Sequence, residues 1–256
     1  MCGPLLEDAA HHLGLLPGIS VVTGGGDTQC GLLGAGVIDP GQMGIIAGST
    51  MPLQWVVNTK LIDPEARVWT SHHVVEERWT LESNGGPTGD LIEWLAGVIY
   101  SGLSDPVAAL FAEASQSAVG AEGIVSTLGA EIFDASHLRM PVGHLTLSPM
   151  LVAEDPSRRR HVSRAVVEGL AFAARGNIEL LQKRRKTNRS NRFDWRVECR
   201  KAYSSPSFSP DVTGVPIEAV LVPECSALGA AILRRRRSEP LFQHCRGRQA
   251  FCQWTA

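Results

Sequence analysis

An aspartate at the end of a glycine run is the residue best placed for chemistry in this 256-residue sequence. Gly24, Gly25 and Gly26 precede Asp27. Glycines let backbone amides approach a ligand, and a carboxylate at a helix start can either accept a proton or cap the helix. Both roles stay open on local sequence. Gly48, Ser49 and Thr50 offer amides and hydroxyls to a phosphate, although small residues also fill turns for steric reasons alone. Gly85, Gly86 and Gly89 stand just ahead of Asp90, where a helix N-terminus could receive a phosphate or where the glycines simply make a turn.

Other chemistries are less well supported. There is no GxxxxGK[ST] string, and residues 24–36 do not space as a GxGxxG dinucleotide fingerprint. The pairs His11–His12 and His72–His73 lack the i, i+4 spacing of helical metal ligands, and neighbours on a strand point to opposite faces, so no metal ligand is assigned. Cys2, Cys30, Cys199, Cys225, Cys245 and Cys252 are scattered without a CxxC pair, which fits reduced thiols. The cationic strings Lys183–Lys186 and Arg234–Arg237 lack interleaved aromatics and read as solvated.

The elements that must position these residues alternate between helix and strand. Leu5, Leu6, Ala9, Ala10 and Leu13 share a helical face that Gly14 and Pro17 end. Ile19–Val22 predict a strand and Thr28–Leu33 a helix, so Asp27 lies where they meet. Gly44–Ile46 and Met51–Val57 predict a hairpin turning at Gly48–Thr50. One β segment is expected from Val68 through Trp79 to Glu82, then an amphipathic helix marked by Leu91, Trp94, Leu95 and Val98. A second helix opens at Ser104 as N-cap and Pro106. Gly123–Leu128 and His144–Leu151 are weaker strands. A long helix from Ser157 turns Val162, Ala165, Val166, Gly169, Leu170, Ala173 and Leu180 inward, and Arg158, Arg159 and Arg160 in its first turn oppose the helix dipole, which predicts solvent or a partner for them. Residues 183–210 have little periodicity, Val212–Ile232 return to strand then helix, and 233–256 read as a basic tail.

With 44% hydrophobic residues and a formal net charge of -2, the chain has an ordinary globular composition and no surface built for nucleic acid or an anionic membrane. It contains no run of about 18 apolar residues and no signal-like start, so a cytoplasmic location is expected, with no nucleic acid and no membrane among the partners.

Taken in order, these pieces resemble the FGGY carbohydrate kinases. GLLPGISVVTGGGDTQCGLLGAG is similar to the family's strand and GD-containing turn, GQMGIIAGST to its GT[GS] hairpin, and ESNGGPTGDLIEWL to its glycine-then-tryptophan helix. HVSRAVVEGLAF resembles half of its C-terminal signature, and DVTGVPIEAVLVPECSALGAAI its ADVxGxPV…ExxALGAA segment. The resemblance covers most of residues 13–232. It implies an α/β fold, an actin-like ATPase (ribonuclease H-like) domain, truncated and lacking the N-terminal domain. Residues 1–39 would be the remnant of that domain's end carrying the catalytic aspartate, 40–232 the nucleotide-side domain with 183–210 as a divergent segment, and 233–256 the tail.

The resemblance also implies roles. Asp27 matches the catalytic base that takes a proton from a sugar hydroxyl, with Gln29 beside it in the substrate site; Gly48, Ser49, Thr50, Gly89 and Glu93 match positions near the nucleotide. ATP and Mg2+ are the expected cosubstrate and metal, a sugar or polyol such as a pentulose the acceptor, and a separate N-terminal half or a second copy the protein partner. Two departures stand against this. No DxGT phosphate loop occurs, and where the family has a glycine-rich GG[AG]xxS segment on the adenosine this sequence reads RVECRKAYSSPSFSP. Trp195, Arg196, Glu198, Arg200 and Lys201 are then expected to obstruct the nucleotide, with only Ser205–Phe208 similar to the family segment.

Overall fold

The computed structural model describes residues 2–138, 142–147, 158–185, 194–199, 210–214, 218–220, 222 and 224–235. Ser205–Phe208, Arg200, Lys201 and the tail beyond Arg235 lie outside them, as do residues 148–151 of the strand expected at His144.

Alternating and apolar runs build six strands into one mixed sheet. β3 (Gln42–Ala47), β4 (Pro52–Val57) and β6 (Trp79–Asn84) form an antiparallel meander, with β5 (Trp69–His72) on the outer edge of β6. On the other side of β3 run β9 (Asp194–Cys199) and β10 (Glu218–Ala219), both parallel to it, giving the order β10-β9-β3-β4-β6-β5. An antiparallel meander continued by parallel strands beside its first member is the ribonuclease H-like pattern that the resemblance implied. Two short ribbons lie apart from this sheet: β1 (Gly3–Pro4) with β2 (Ser20–Val21), and β7 (Val125–Ser126) with β8 (Leu145–Thr146).

Helices cover both faces. Met43, Ile45, Leu53, Trp55, Val57 and Leu81 project to one side, where Leu170, Ala174, Ile178 and Leu181 of α5 (Arg159–Arg185) complete the main core. α3 (Thr88–Ile99) and α4 (Pro106–Ser115) extend that layer through Leu95, Ala96, Tyr100, Leu110 and Val166. On the opposite face lies α2 (Asp27–Gly34), whose Leu32 meets Val37, Val56 and Cys225. α7 (Cys225–Arg235) packs on α2; α1 (Glu7–Leu13) and α6 (Pro210–Thr213) are short peripheral turns.

Backbone proximity on the α2 face requires missing side chains. A methyl at Gly44 would overlap Leu32, one at Gly34 the Cys225 carbonyl, and one at Gly229 the Cys30 carbonyl. Glycines at reciprocal positions of α2 and α7 thus let the two backbones touch.

One buried polar hub joins α5 to the sheet. Asn177 Oδ1 accepts from Ser83 Oγ at 2.5 Å and from Phe133 N at 3.0 Å, while its Nδ2 donates to the carbonyls of Glu131 and Ala173. At the far end of α5, Arg184 reaches Asp63 at 3.1 Å and Glu65 at 2.7 Å.

Several expectations are corrected. Val68–Glu82 is not one β segment but the β5–β6 hairpin, because residues 73–78 turn back, with Glu77 at φ 57. Of the apolar face on α1 only Ala10 is buried; Leu6 and Leu13 are exposed. On α3 the inward side is Ile92, Leu95 and Ala96, so Trp94 and Val98 face outward, since α4 and α5 pack against one side only. Asp105, not Ser104, caps α4, its carboxylate accepting from Ala108 N at 2.9 Å. Arg159 finds its partner within the chain, over the Tyr100 ring at 4.6 Å. The aperiodic stretch holding Trp195, Arg196 and Glu198 is a strand between β3 and β10, so these residues do not replace a loop. α7 also runs on to Arg235, into the expected tail.

Replacing Asn177 by leucine strands the Ser83 hydroxyl, the Phe133 amide and the Glu131 carbonyl. The cost expected from unsatisfied buried groups is about 3 kcal/mol, read as a lower midpoint in urea unfolding with an unchanged slope.

Candidate functional site

Asp27 opens α2, which packs on one face of the sheet with Leu32 over Gly44 of β3, and Gly48–Thr50 follow the end of β3. This is the carboxyl end of the parallel strands β3 and β9, where α/β sheets commonly receive ligands.

Asp27 does not cap its helix. The N-cap is Gly26 with no side-chain bond, and among the described residues Asp27 Oδ1 accepts only from its neighbour, Thr28 N at 2.7 Å and Thr28 Oγ1 at 3.3 Å. A capping carboxylate would be turned to the amides two or three residues on; this one is exposed and keeps acceptor sites for another group. Gly24, at φ 69, makes the turn that lets the chain enter the helix. Gln29 is half-buried behind Asp27, its side chain folded under Gly26, where a methyl would meet it.

The β3–β4 turn is pinned to the start of α3. Ser49 O accepts from Gly89 N at 3.0 Å and from Asp90 N at 3.3 Å, and Gly48 N–H donates to Thr50 O at 3.0 Å. Gly89 must be glycine, because a methyl there would overlap the Gly48 carbonyl. Gly85 N–H donates to Met51 O and Gly86 N–H to Asn84 Oδ1. The amides of Gly85, Gly86, Gly89 and Asp90 are therefore engaged within the chain, and the groups this end offers to solvent are the exposed Ser49 and Thr50. Glu93 is exposed one turn beyond Gly89 on the same side of α3. The structure thus brings Gly48, Ser49, Thr50 and Gly89 into one cluster and sets Asp27 and Gln29 together on α2.

A residue that sequence reasoning missed lies beneath Asp27. Gly44, Gln54 and Glu82 are register partners across three strands on the α2 face. Gln54 is fully buried, its Nε2 donating to Glu82 Oε2 at 2.5 Å while its Oε1 has no partner among the described residues. Burial pushes the Glu82 carboxyl above its ordinary value, the Gln54 bond opposes that, and the charge of Asp27 adds to it. Burial likewise raises the Cys30 thiol, against a bond from Gly25 and with a smaller push from Asp27. The one sequence signal for Glu82 was an acidic residue at an alternating position of a strand. His72 stacks on Trp79 with centroids 3.8 Å apart, and His73 is buried on Val37 O. Among the described residues no group of three His, Cys, Asp or Glu could hold a metal, and no helix is long and apolar enough to cross a membrane. An open pocket of about 410 Å3, lined by Glu131, Ile132, Asp134, His137 and Leu138, contains none of the predicted site residues.

Comparison with solved structures decides the fold. Xylulose kinase from Rhodospirillum rubrum matches with a TM-score of 0.69 at 24% identity, over 93% of this chain and 46% of that one. Plasmodium falciparum glycerol kinase with ADP matches with a TM-score of 0.66 at 18% identity, over 89% and 44%. This chain carries about half of an FGGY-type sugar-kinase fold. Among curated proteins, the autoinducer-2 kinase of Klebsiella pneumoniae is 29% identical over 244 residues, 91% of this chain and 44% of its own length. No family model matches the chain. The chain spans less than half the length of these relatives, all of them named as kinases.

The raised Glu82 carboxyl carries a sign. A group whose folded pKa lies above its unfolded value favours the folded state below the unfolded pKa, and that favour is lost as pH rises through the folded pKa. Ionised Glu82 therefore weakens the fold at neutral pH. Glu82→Gln, which keeps the Gln54 contact, should be more stable than the wild type at pH 7, the advantage fading as pH falls through the raised folded value and gone below roughly 4.3, the unfolded glutamate value. Thermal melts of both proteins across that range check it.

Proposed function

We propose that this chain is the Asp27-bearing, nucleotide-side part of an ATP-dependent carbohydrate kinase, which moves the γ-phosphate of ATP to a hydroxyl of a sugar or polyol. The observation that carries the reading is the state of Asp27: an exposed carboxylate at the start of α2, free of capping duty, whose charge is felt by the buried Glu82. In this reading Asp27 accepts the alcohol proton as the oxygen attacks phosphorus, and Gln29 steadies the substrate alongside it. The Ser49 and Thr50 hydroxyls take phosphate oxygens, while Gly48 and Gly89 keep the turn close to α3 so that these hydroxyls are presented. Glu93 borders the nucleotide.

Isolated carboxylate and hydroxyl oxygens suit Mg2+, which is commonly held by one or two carboxylates plus substrate phosphates rather than by a protein cage; bound there, it would neutralise charge developing on the phosphoryl oxygens. Asp27, Ser49 and Thr50 are the residues that would face it.

The favoured acceptor is a pentulose such as xylulose. Xylulose kinases stand among the structural neighbours. The chain spans less than half the length of its relatives, and in this reading a separate N-terminal half or a second copy would supply the other side of the cleft. The second reading is a fragment without catalysis that at most binds nucleotide or a partner chain. Phosphoryl transfer needs charge stabilisation on both sides of the transferring group, and the groups described above, Asp27, Ser49 and Thr50, are few for that task.

Sugar-dependent ADP release, measured with Mg-ATP and a panel of pentuloses and polyols, separates the two readings. It is run on the chain alone and mixed with the first half of a related xylulose kinase. Kinase action predicts release that Asp27→Asn lowers by about 10²- to 10⁴-fold, the usual worth of a general base. Release indifferent to Asp27, or none in either arrangement, supports the fragment.

A further inference from the structure

The tip of the β5–β6 hairpin reaches the glycine turn ahead of Asp27, and none of the chemistry above uses it. Residues 73–78 form this tip, closed by His73 N–H donating to Arg78 O at 3.0 Å and by Glu77 at φ 57. His73 is buried. Its Nδ1 accepts the Val75 amide at 2.9 Å, which assigns the ring proton to Nε2, and Nε2 then donates to Val37 O at 3.1 Å. Val37 lies just beyond α2, its own amide bonded back to Leu32 O at 2.8 Å.

Val74 engages the other end of the same helix. A methyl on Gly25 would overlap Val74 Cγ1, so Gly25 is needed for room; its φ is not positive, and backbone conformation alone would admit alanine. Two adjacent tip residues therefore touch the chain on both sides of α2, two positions before Asp27 and three after Gly34.

We propose that His73 and Val74 are positioning residues for Asp27, the hairpin tip serving as a strut that holds both ends of α2. The inference rests on the kinase reading for its purpose but not for its geometry. Three consecutive glycines lose more backbone freedom on ordering than any other run, so the turn needs an outside contact to select one path. Val74 supplies it by filling the space that the absent Gly25 side chain leaves. His73 fixes the far end of the helix, so that α2 cannot slide along the sheet. Precision matters here because a misplacement of about 1 Å in a catalytic group can cost roughly 10² in rate.

Amide hydrogen exchange on the full chain tests the strut. The Cys30 amide, bonded to Gly26 O at 2.9 Å, reports whether the turn is formed. Val74→Ala and His73→Ala should each speed exchange across Cys30–Leu33 by about 10-fold, while amides of β4 and α5 keep their wild-type rates. Gly25→Ala should do the same, and Gly25→Ala combined with Val74→Ala should return exchange toward the wild-type rate, because the transplanted methyl occupies the vacated space. His73→Gln, which keeps a donor toward Val37 O, should recover part of what His73→Ala loses. Where ADP release is measurable, the variants should lower kcat and leave the KM for ATP unchanged. Unchanged exchange at Cys30–Leu33 in both Val74→Ala and His73→Ala overturns the proposal, as does an equal acceleration throughout the chain or a double variant no better than Gly25→Ala. If there is no ADP release in either arrangement, the kinase reading falls while the exchange result still decides the strut.

Discussion

The seating of α2 between the sheet and α7 is the contact on which the position of Asp27 depends. Helix and sheet ordinarily keep their backbones apart by a layer of side chains. Here Gly44 on the sheet, Gly34 on α2 and Gly229 on α7 remove that layer at three points. Leu32 then drops onto Gly44, the Cys225 and Cys30 carbonyls lie against the opposing glycines, and the N-terminus of α2 is fixed in height above β3. A side chain at Gly34 or Gly229 displaces backbone, not a flexible tip, and carries Asp27 with it.

That seating explains the division of labour between the two faces. The α5 face is a conventional apolar core, tied by the saturated Asn177 hub, and its job is stability. The α2 face carries polar groups that do not serve stability: Gln54 with an oxygen that has no partner among the described residues, Glu82 with a carboxyl raised by burial, and Asp27 near them. Burying such groups costs free energy unless they are paired. Their concentration on one face, under the helix that Asp27 opens, is the kind of arrangement in which a fold gives up stability for chemistry.

Much of this was legible in the residues. The β3–β4 hairpin followed from two apolar runs around Gly48–Thr50, and α5 from inward residues at helical spacing. Asp27 was legible as a helix start, but only the structure separated a capping carboxylate from a free one, because the difference lies in one bond direction. β9 was hidden because a strand between β3 and β10 is specified by its partners and not by its own pattern. The β5–β6 hairpin was read as one strand since nothing in SHHVVEERW carries a glycine or proline, and the turn is made by Glu77 at positive φ. Glu82 escaped notice because its significance is the register that sets it beside Gln54 and below Asp27, a long-range property.

The central claim is that a nucleotide meets this chain at the carboxyl end of β3, and backbone amide shifts on adding Mg-ATP to the labelled protein test it most directly. A nucleotide bound there shifts Gly48, Ser49 and Thr50 most, with smaller changes at Gly89 and Asp27. Shifts centred on the pocket at Glu131–Leu138, or none at millimolar ATP, would contradict it.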